Sequence, residues 1–180
     1  MEESIIRHIE EKDIRELIIL GKQLHEHGEY GWLPYSTEKV NQLFRKCLKF
    51  DMLTCIVAEK NSKVIGFMIV AIQDYFFNYK KMCYDLGLFI SEEHRKDIKT
   101  PIKILKFAES WAKERDVQEM FFGNTVNVKN SKVKAFYEKA FLKSEGYILD
   151  YGHSTGSRSK FSLDAVFKGN EELKTYFVNK

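Results

Sequence analysis

The spacing of apolar residues changes several times along the chain, and each change marks an element. SIIRHI (residues 4–9) reads as a short first strand. Asp13 followed by Glu16 reads as a capping box. It opens a helix with Ile14, Leu17, Ile18, Gly21 and Leu24 on one face. EHGEYGWLPYS (26–36) breaks that helix with two glycines and Pro34. Ser36 or Thr37 then caps a second helix, with Val40, Leu43, Phe44, Cys47 and Leu48 at helical spacing.

LTCIVAEK (53–60) and KVIGFMIVAIQ (63–73) are joined by the turn-like KNSK and predict an antiparallel hairpin. After DYFFNYKK (74–81) comes a strand, MCYDLGLFI (82–90). Regular alternation would put Tyr84, Leu86, Leu88 and Ile90 on one face of it, and Cys83, Asp85, Gly87 and Phe89 on the other. Thr100 and Pro101 read as an N-cap and first helical residue. They start a helix whose stripe is Ile104, Leu105, Ala108, Trp111, Ala112 and Val117. QEMFFGN (118–124) is a strand, NSKVKAFYEKAF (130–141) a helix and SEGYILDYG (144–152) a strand. A last strand at KFSLDAVFK and a terminal helix at NEELKTYF complete the order. The order predicts a mixed sheet with helices on both faces.

Composition narrows the class. With 180 residues, 44% hydrophobic and 31% charged, the chain suits one well-cored globular domain. No segment is apolar for long enough to cross a bilayer. The acidic start MEESIIRHIEEKD has no signal-peptide pattern, so a cytoplasmic protein is expected. Cys47, Cys55 and Cys83 lack CxxC spacing and are expected as reduced, buried thiols. The five histidines make no zinc set, and no metal is expected. No P-loop, dinucleotide fingerprint or GxSxG elbow occurs. A net charge of +3 is too small for a nucleic-acid surface.

Charge is concentrated in one place. From Arg95 to Lys106 there are five cations (Arg95, Lys96, Lys99, Lys103, Lys106) against a single acid, Asp97. A solvated helix face accounts for such a run. Its place at a strand-to-helix junction also suits an anion, because a helix N-terminus presents unpaired N–H groups and Arg95 adds a planar fork. The stretch between Arg95 and the helix contains no glycine.

The order of elements, with IIRHIEEKDIRELIIL, LGLFISEEHRKDIKTP and NSKVKAFYEKAF, resembles the GNAT superfamily of acyl-CoA-dependent N-acyltransferases over residues 4–152. It is similar in particular to divergent members found in bacteriophages. The resemblance implies a central mixed, mostly antiparallel twisted sheet, a domain over 1–152 and a C-terminal extension over 153–180. That extension exceeds the usual family core and offers a homodimer contact. Arg95 matches the Arg/Gln position of the pyrophosphate loop, and Lys96, Asp97, Ile98, Lys99 and Thr100 match the rest. Ile98 and Thr100 stand where the family prefers Gly and Gly/Ala. The backbone of Leu88, Phe89 and Ile90 would hold pantetheine. Asn130 would contact the cofactor arm, and Tyr137 would protonate the departing thiolate.

The implied reaction is transfer of acetyl from acetyl-CoA to a primary amine, of a protein lysine or a small cationic molecule, by direct attack. The alternative is a GNAT-fold module that binds CoA or a protein partner without catalysis. By its spacing alone, on one face with Val133 and Ala140, Tyr137 reads first as a core tyrosine with a satisfied hydroxyl. Asp85, in an apolar strand, is either paired structurally or the base that deprotonates the amine. Glu29, Glu26 and His25 are further candidates for that base. Glu29, Tyr30, Trp32, Tyr35 and Phe76 would line an acceptor pocket, since aromatics among acids suit a cation. A hydrophobic plug over the sheet is the competing reading of those aromatics.

Overall fold

The computed structural model describes residues 3–28 and 30–123, and the backbone of 147–149. Within them a six-stranded sheet runs β1 (Ile5–His8), β2 (Leu53–Lys60), β3 (Lys63–Asp74), β4 (Lys81–Ile90), β5 (Val117–Gly123) and β6 (Tyr147–Leu149), in that spatial order. The first four strands pair antiparallel, and β4–β5 and β5–β6 pair parallel. Three helices accompany them: α1 (Ile14–His27), α2 (Thr37–Cys47) and α3 (Lys99–Lys113). The mixed α/β architecture expected from the pattern is the one observed. The helix expected at 130–141, the last strand, the terminal helix and the division at residue 152 lie outside the described residues.

The central strands are buried on both faces, so alternation sorts their side chains into two cores. Ile56, Met68 and Val70 join Ile104, Leu105, Ala108 and Trp111 beneath α3. Cys55, Val57, Phe67 and Ile69 join Leu17, Leu20 and Phe44 beneath α1 and α2. The β2–β3 turn is made by Asn61 and Ser62 at φ 51° and 58°, the left-handed pair that a two-residue hairpin needs. Ser36 caps α2, its Oγ accepting from the Lys39 amide at 3.2 Å.

The start of α1 differs from the expectation. The capping box joins Glu10 and Asp13 across a 3-10 turn, Glu11–Asp13. Asp13 is drawn back because Arg7 grips its carboxylate through two guanidinium nitrogens. Glu16 accepts instead from the Val64 amide at 2.7 Å, tying α1 to the start of β3. No helix among the described residues is long and apolar enough to cross a membrane.

Candidate functional site

The sheet opens between β4 and β5. Their ladder runs from Lys81 opposite Val117 to Tyr84 opposite Phe121 and stops there. Both strands continue, β4 to Ile90 and β5 to Gly123, so the C-terminal half of β4 has no ladder partner from β5. On its other side β4 still pairs with β3, but with a bulge. Val70 faces Asp85 and Ile69 faces Gly87, which leaves Leu86 as the extra residue. Such a bulge bends and twists a strand and interrupts its ladder. Asp85 is therefore the first β4 residue beyond the last β5 pair, at the base of the cleft. Leu88, Phe89 and Ile90 form its far wall.

The bulge overturns the expected alternation. Cys83 lies under α3 with Leu88 and Ile90, whereas Phe89 packs under α1 and α2. One extra residue between Cys83 and Leu88 moves every later side chain to the opposite face. Asp85 stays close to Cys83. Burial, and then the Asp85 charge, pushes the Cys83 thiol up to about 12.

α1 ends over this bulge. A Cβ on Gly87 would stand 3.1 Å from Leu24 Cδ2, and Gly87 itself has φ 157°. His27 Nε2 lies 2.9 Å from Glu92 Oε1, just past the end of β4. The end of α1 is thereby held beside the end of β4, and the loop that follows carries Tyr30 and an exposed Trp32 (78%). Tyr35 has a structural task in that loop. Its hydroxyl donates to the Ile18 carbonyl at 2.9 Å, and burial raises its pKa. His25 Nε2 donates to the Leu33 carbonyl at 2.8 Å and closes the same loop. Phe76 is 97% exposed at the tip of the β3–β4 hairpin. That tip is about 20 Å from Gly87 at the rise of a strand, so the structure does not gather Phe76 with Trp32 and Tyr30.

Beyond Ile90 a 3-10 turn, Glu92–His94, leads to Arg95. Its Nε donates to the Ile90 carbonyl at 3.2 Å and its guanidinium stands 5.3 Å from the Phe89 ring centre. Nη1 reaches Glu92 at 3.3 Å. The fork is thus preset at the end of β4, with Lys96 and Lys99 exposed beside it. No residue from 91 to 99 has a positive φ, so this loop folds without needing glycine.

The start of α3 corrects a second expectation. Thr100 is not the N-cap; it lies within the first turn and is completely buried. The capping carboxylate is that of Asp97. Its Oδ1 accepts from the Lys99 amide at 2.9 Å and its Oδ2 from the Thr100 hydroxyl at 2.7 Å. Those hydrogen bonds, the Thr100 hydroxyl first, hold Asp97 below its ordinary carboxylate value.

Glu29, Asn130 and Tyr137 lie outside the described residues. Reading by residue type passed over Ser4, placed Leu24 only on the α1 face, and took Phe89 for its backbone rather than for the ring beside Arg95. Gly87 carried a usable signal, since glycine inside an apolar strand marks a bulge or a close approach. A separate cleft of about 420 Å³ lies between β1 and α3, lined by Ile6, His8, Phe107 and Trp111 among others. β1 is an edge strand, with β2 and β3 between it and β4, so this cleft is separate from the opening between β4 and β5.

A family model described as the acetyltransferase (GNAT) family matches residues 21–141. No curated protein matches the chain. Among solved structures, AAC(6')-Iy bound to the bisubstrate analogue CoA-S-monomethyl-acetylneamine aligns with TM-score 0.65 and 16% identity, over 88% of this chain and 99% of that one. Glucosamine-6-phosphate N-acetyltransferase from Arabidopsis thaliana aligns with TM-score 0.62 and 20% identity, over 89% and 99%. A transcriptional regulator from Bacillus halodurans C-125 aligns with TM-score 0.64 and 16% identity, over 88% and 100%.

Proposed function

Because the chain belongs to the acetyltransferase (GNAT) family and is on that ground an acetyl-CoA-dependent N-acetyltransferase, we propose that its acceptor is a primary amine. The amine attacks the thioester directly, in the cleft where β4 and β5 part. The observation that carries this reading is the loss of the β4–β5 ladder after Tyr84, beside a bulge at Leu86. Among the described residues the edge of β4 beyond Tyr84 has no ladder partner from β5, and it offers backbone donors and acceptors to the amide-rich pantetheine arm, from Leu88, Phe89 and Ile90. It also offers N–H groups to the oxygen that becomes negative as the amine attacks.

The chemistry follows from the placement. The amine nitrogen forms a bond to the acetyl carbonyl carbon, and the C–S bond then breaks. Asp85, at the base of the cleft, takes the proton from the amine directly or through one water. Tyr137 gives its proton to the departing thiolate. Arg95, Lys96 and Lys99 hold the pyrophosphate, and holding both reactants in one cleft removes much of the entropic barrier. Tyr30 and Trp32, with Glu26 and Glu29 in the same stretch of sequence, favour a cationic acceptor.

Calorimetry with acetyl-CoA and with CoA tests the donor site, and no binding at sub-millimolar concentration would sink the proposal. Thiol release is then screened across amino sugars, aminoglycosides, polyamines and lysine peptides. Turnover with none of them, despite donor binding, would favour the binding module that lacks catalysis. Asp85→Asn and Tyr137→Phe should each lower kcat at least tenfold with donor affinity kept. An unchanged rate for either variant returns that residue to a structural role.

A further inference from the structure

A helix N-terminus attracts phosphate through amides that have no partner inside the helix. In α3 the amide of the first residue, Lys99, is already engaged. The Lys99 amide donates to Asp97 Oδ1 at 2.9 Å, and the Thr100 amide also favours the charged carboxylate. Pro101 follows and has no N–H to give. The chain's own carboxylate has taken the place of an anion.

Asp97 is also held there from below. The Thr100 hydroxyl has one proton, and it goes to Asp97 Oδ2 at 2.7 Å. Ser4 Oγ, 2.7 Å from Thr100 Oγ1, must then be the donor in that second bond. Thr100 is fully buried, so withdrawing Asp97 would leave a buried hydroxyl proton unpaired. Glu3 pairs with Lys103 on the same turn of α3, which fixes the segment that carries Ser4.

The geometry points to Asp97 as the residue that limits the affinity of the donor site for pyrophosphate. A phosphate oxygen competing for the Lys99 amide meets a bound carboxylate, and one approaching beside it meets a like charge. The pyrophosphate is therefore gripped by the side chains of Arg95, Lys96 and Lys99, against a built-in repulsion from Asp97. This inference rests on the donor-site reading above, and it adds a residue that opposes binding.

The test uses Asp97→Asn and Asp97→Ser, both neutral and both competent helix caps, so α3 keeps its start. Binding of CoA and of S-acetyl-pantetheine, which lacks the pyrophosphate, is measured by calorimetry beside thermal melting. Both variants should bind CoA roughly three- to tenfold more tightly, with affinity for S-acetyl-pantetheine unchanged. Unchanged or weaker CoA binding in variants that melt normally overturns the inference and leaves Asp97 a helix cap only. Equal tightening toward S-acetyl-pantetheine overturns it too, because the effect would not be on phosphate. Arg95→Ala separates the two readings. If it loses CoA affinity while the Asp97 variants do not gain it, only the Asp97 inference falls. If the wild type and all variants bind no CoA, the donor-site reading falls and takes the inference with it.

Discussion

Arg95 and Phe89 are stacked, with the guanidinium carbon 5.3 Å from the ring centre, at the point where β4 gives way to the turn before α3. Phe89 is itself buried in the core beneath α1 and α2, so the arginine sits on a rigid seat. A hydrogen bond from Nε to the Ile90 carbonyl fixes its direction. Arg95→Ala should weaken CoA binding by roughly ten- to a hundredfold, the scale of losing a charge-assisted bidentate contact. Arg95→Lys should recover only part of it, since a lysine neither stacks nor presents a fork. Calorimetry with CoA decides, and equal affinity in all three proteins would place the phosphate elsewhere.

Gly87 couples the cleft to α1. Its φ of 157° is one that L side chains rarely adopt, and an added Cβ would stand 3.1 Å from Leu24 Cδ2, so Leu24 would have to give way. Gly87→Ala should cost about 1–2 kcal/mol of stability. It should also lower turnover, because the bulge sets the course of the cleft wall. Leu24→Ala in the same chain should restore part of the stability by making space. A double-mutant cycle on urea midpoints measures this, and strict additivity would show that the two residues do not meet.

Much of the fold was legible because most elements have one strong period. The apolar spacing of Ile14, Leu17 and Leu24 located α1, and Asn61–Ser62 marked the β2–β3 turn. The bulge was not legible, for a physical reason. In β4 apolar residues occupy both parities, since the strand is covered on both faces, so a one-residue slip leaves no gap in the pattern. Asp97 was hidden for a related reason. Asp97 and Thr100 are both good caps, and the choice between them depends on Ser4, which lies far away in sequence. The cations of the proposed donor site were visible as a cluster. What opposes them required the hydrogen bonds.

The three thiols predict a quiet background for any assay of released CoA. Cys47, Cys55 and Cys83 are all free and buried. Burial pushes Cys47 and Cys83 up to about 12, and Cys55 well above its usual value. At pH 8 their thiolate fraction is then negligible, on the order of one part in ten thousand. A chromogenic disulfide reagent should label none of them in the native protein on the assay timescale, and all three after denaturation. Rapid native labelling of one cysteine, traced by Cys→Ala variants, would contradict the burial described.

Acid should loosen the protein through the contact of Arg7 with Asp13. Nη1 and Nη2 donate to the two carboxylate oxygens at 2.6 and 2.8 Å, and the Glu10 amide donates to Oδ2 at 2.8 Å. Burial alone would raise the Asp13 pKa, for the residue is only 3% exposed. The Arg7 hydrogen bonds, the Glu10 amide and the Arg7 charge outweigh burial, and the folded-state value is lowered. The unfolded chain then takes up the proton first, near pH 3.9. The contribution is complete above about pH 5 and disappears as pH falls through the unfolded and then the folded value. Urea midpoints should therefore decline steeply between about pH 5 and pH 3. Asp13→Asn should flatten that slope and start from a lower midpoint at pH 7. Asp13→Ala should lose about 3 kcal/mol at neutral pH, because Arg7 keeps its charge but loses a bidentate partner. Glu59, which accepts from Arg7 Nε at 3.0 Å, would soften that loss. A pH slope in Asp13→Asn as steep as in the wild type would assign the acid sensitivity to other carboxylates.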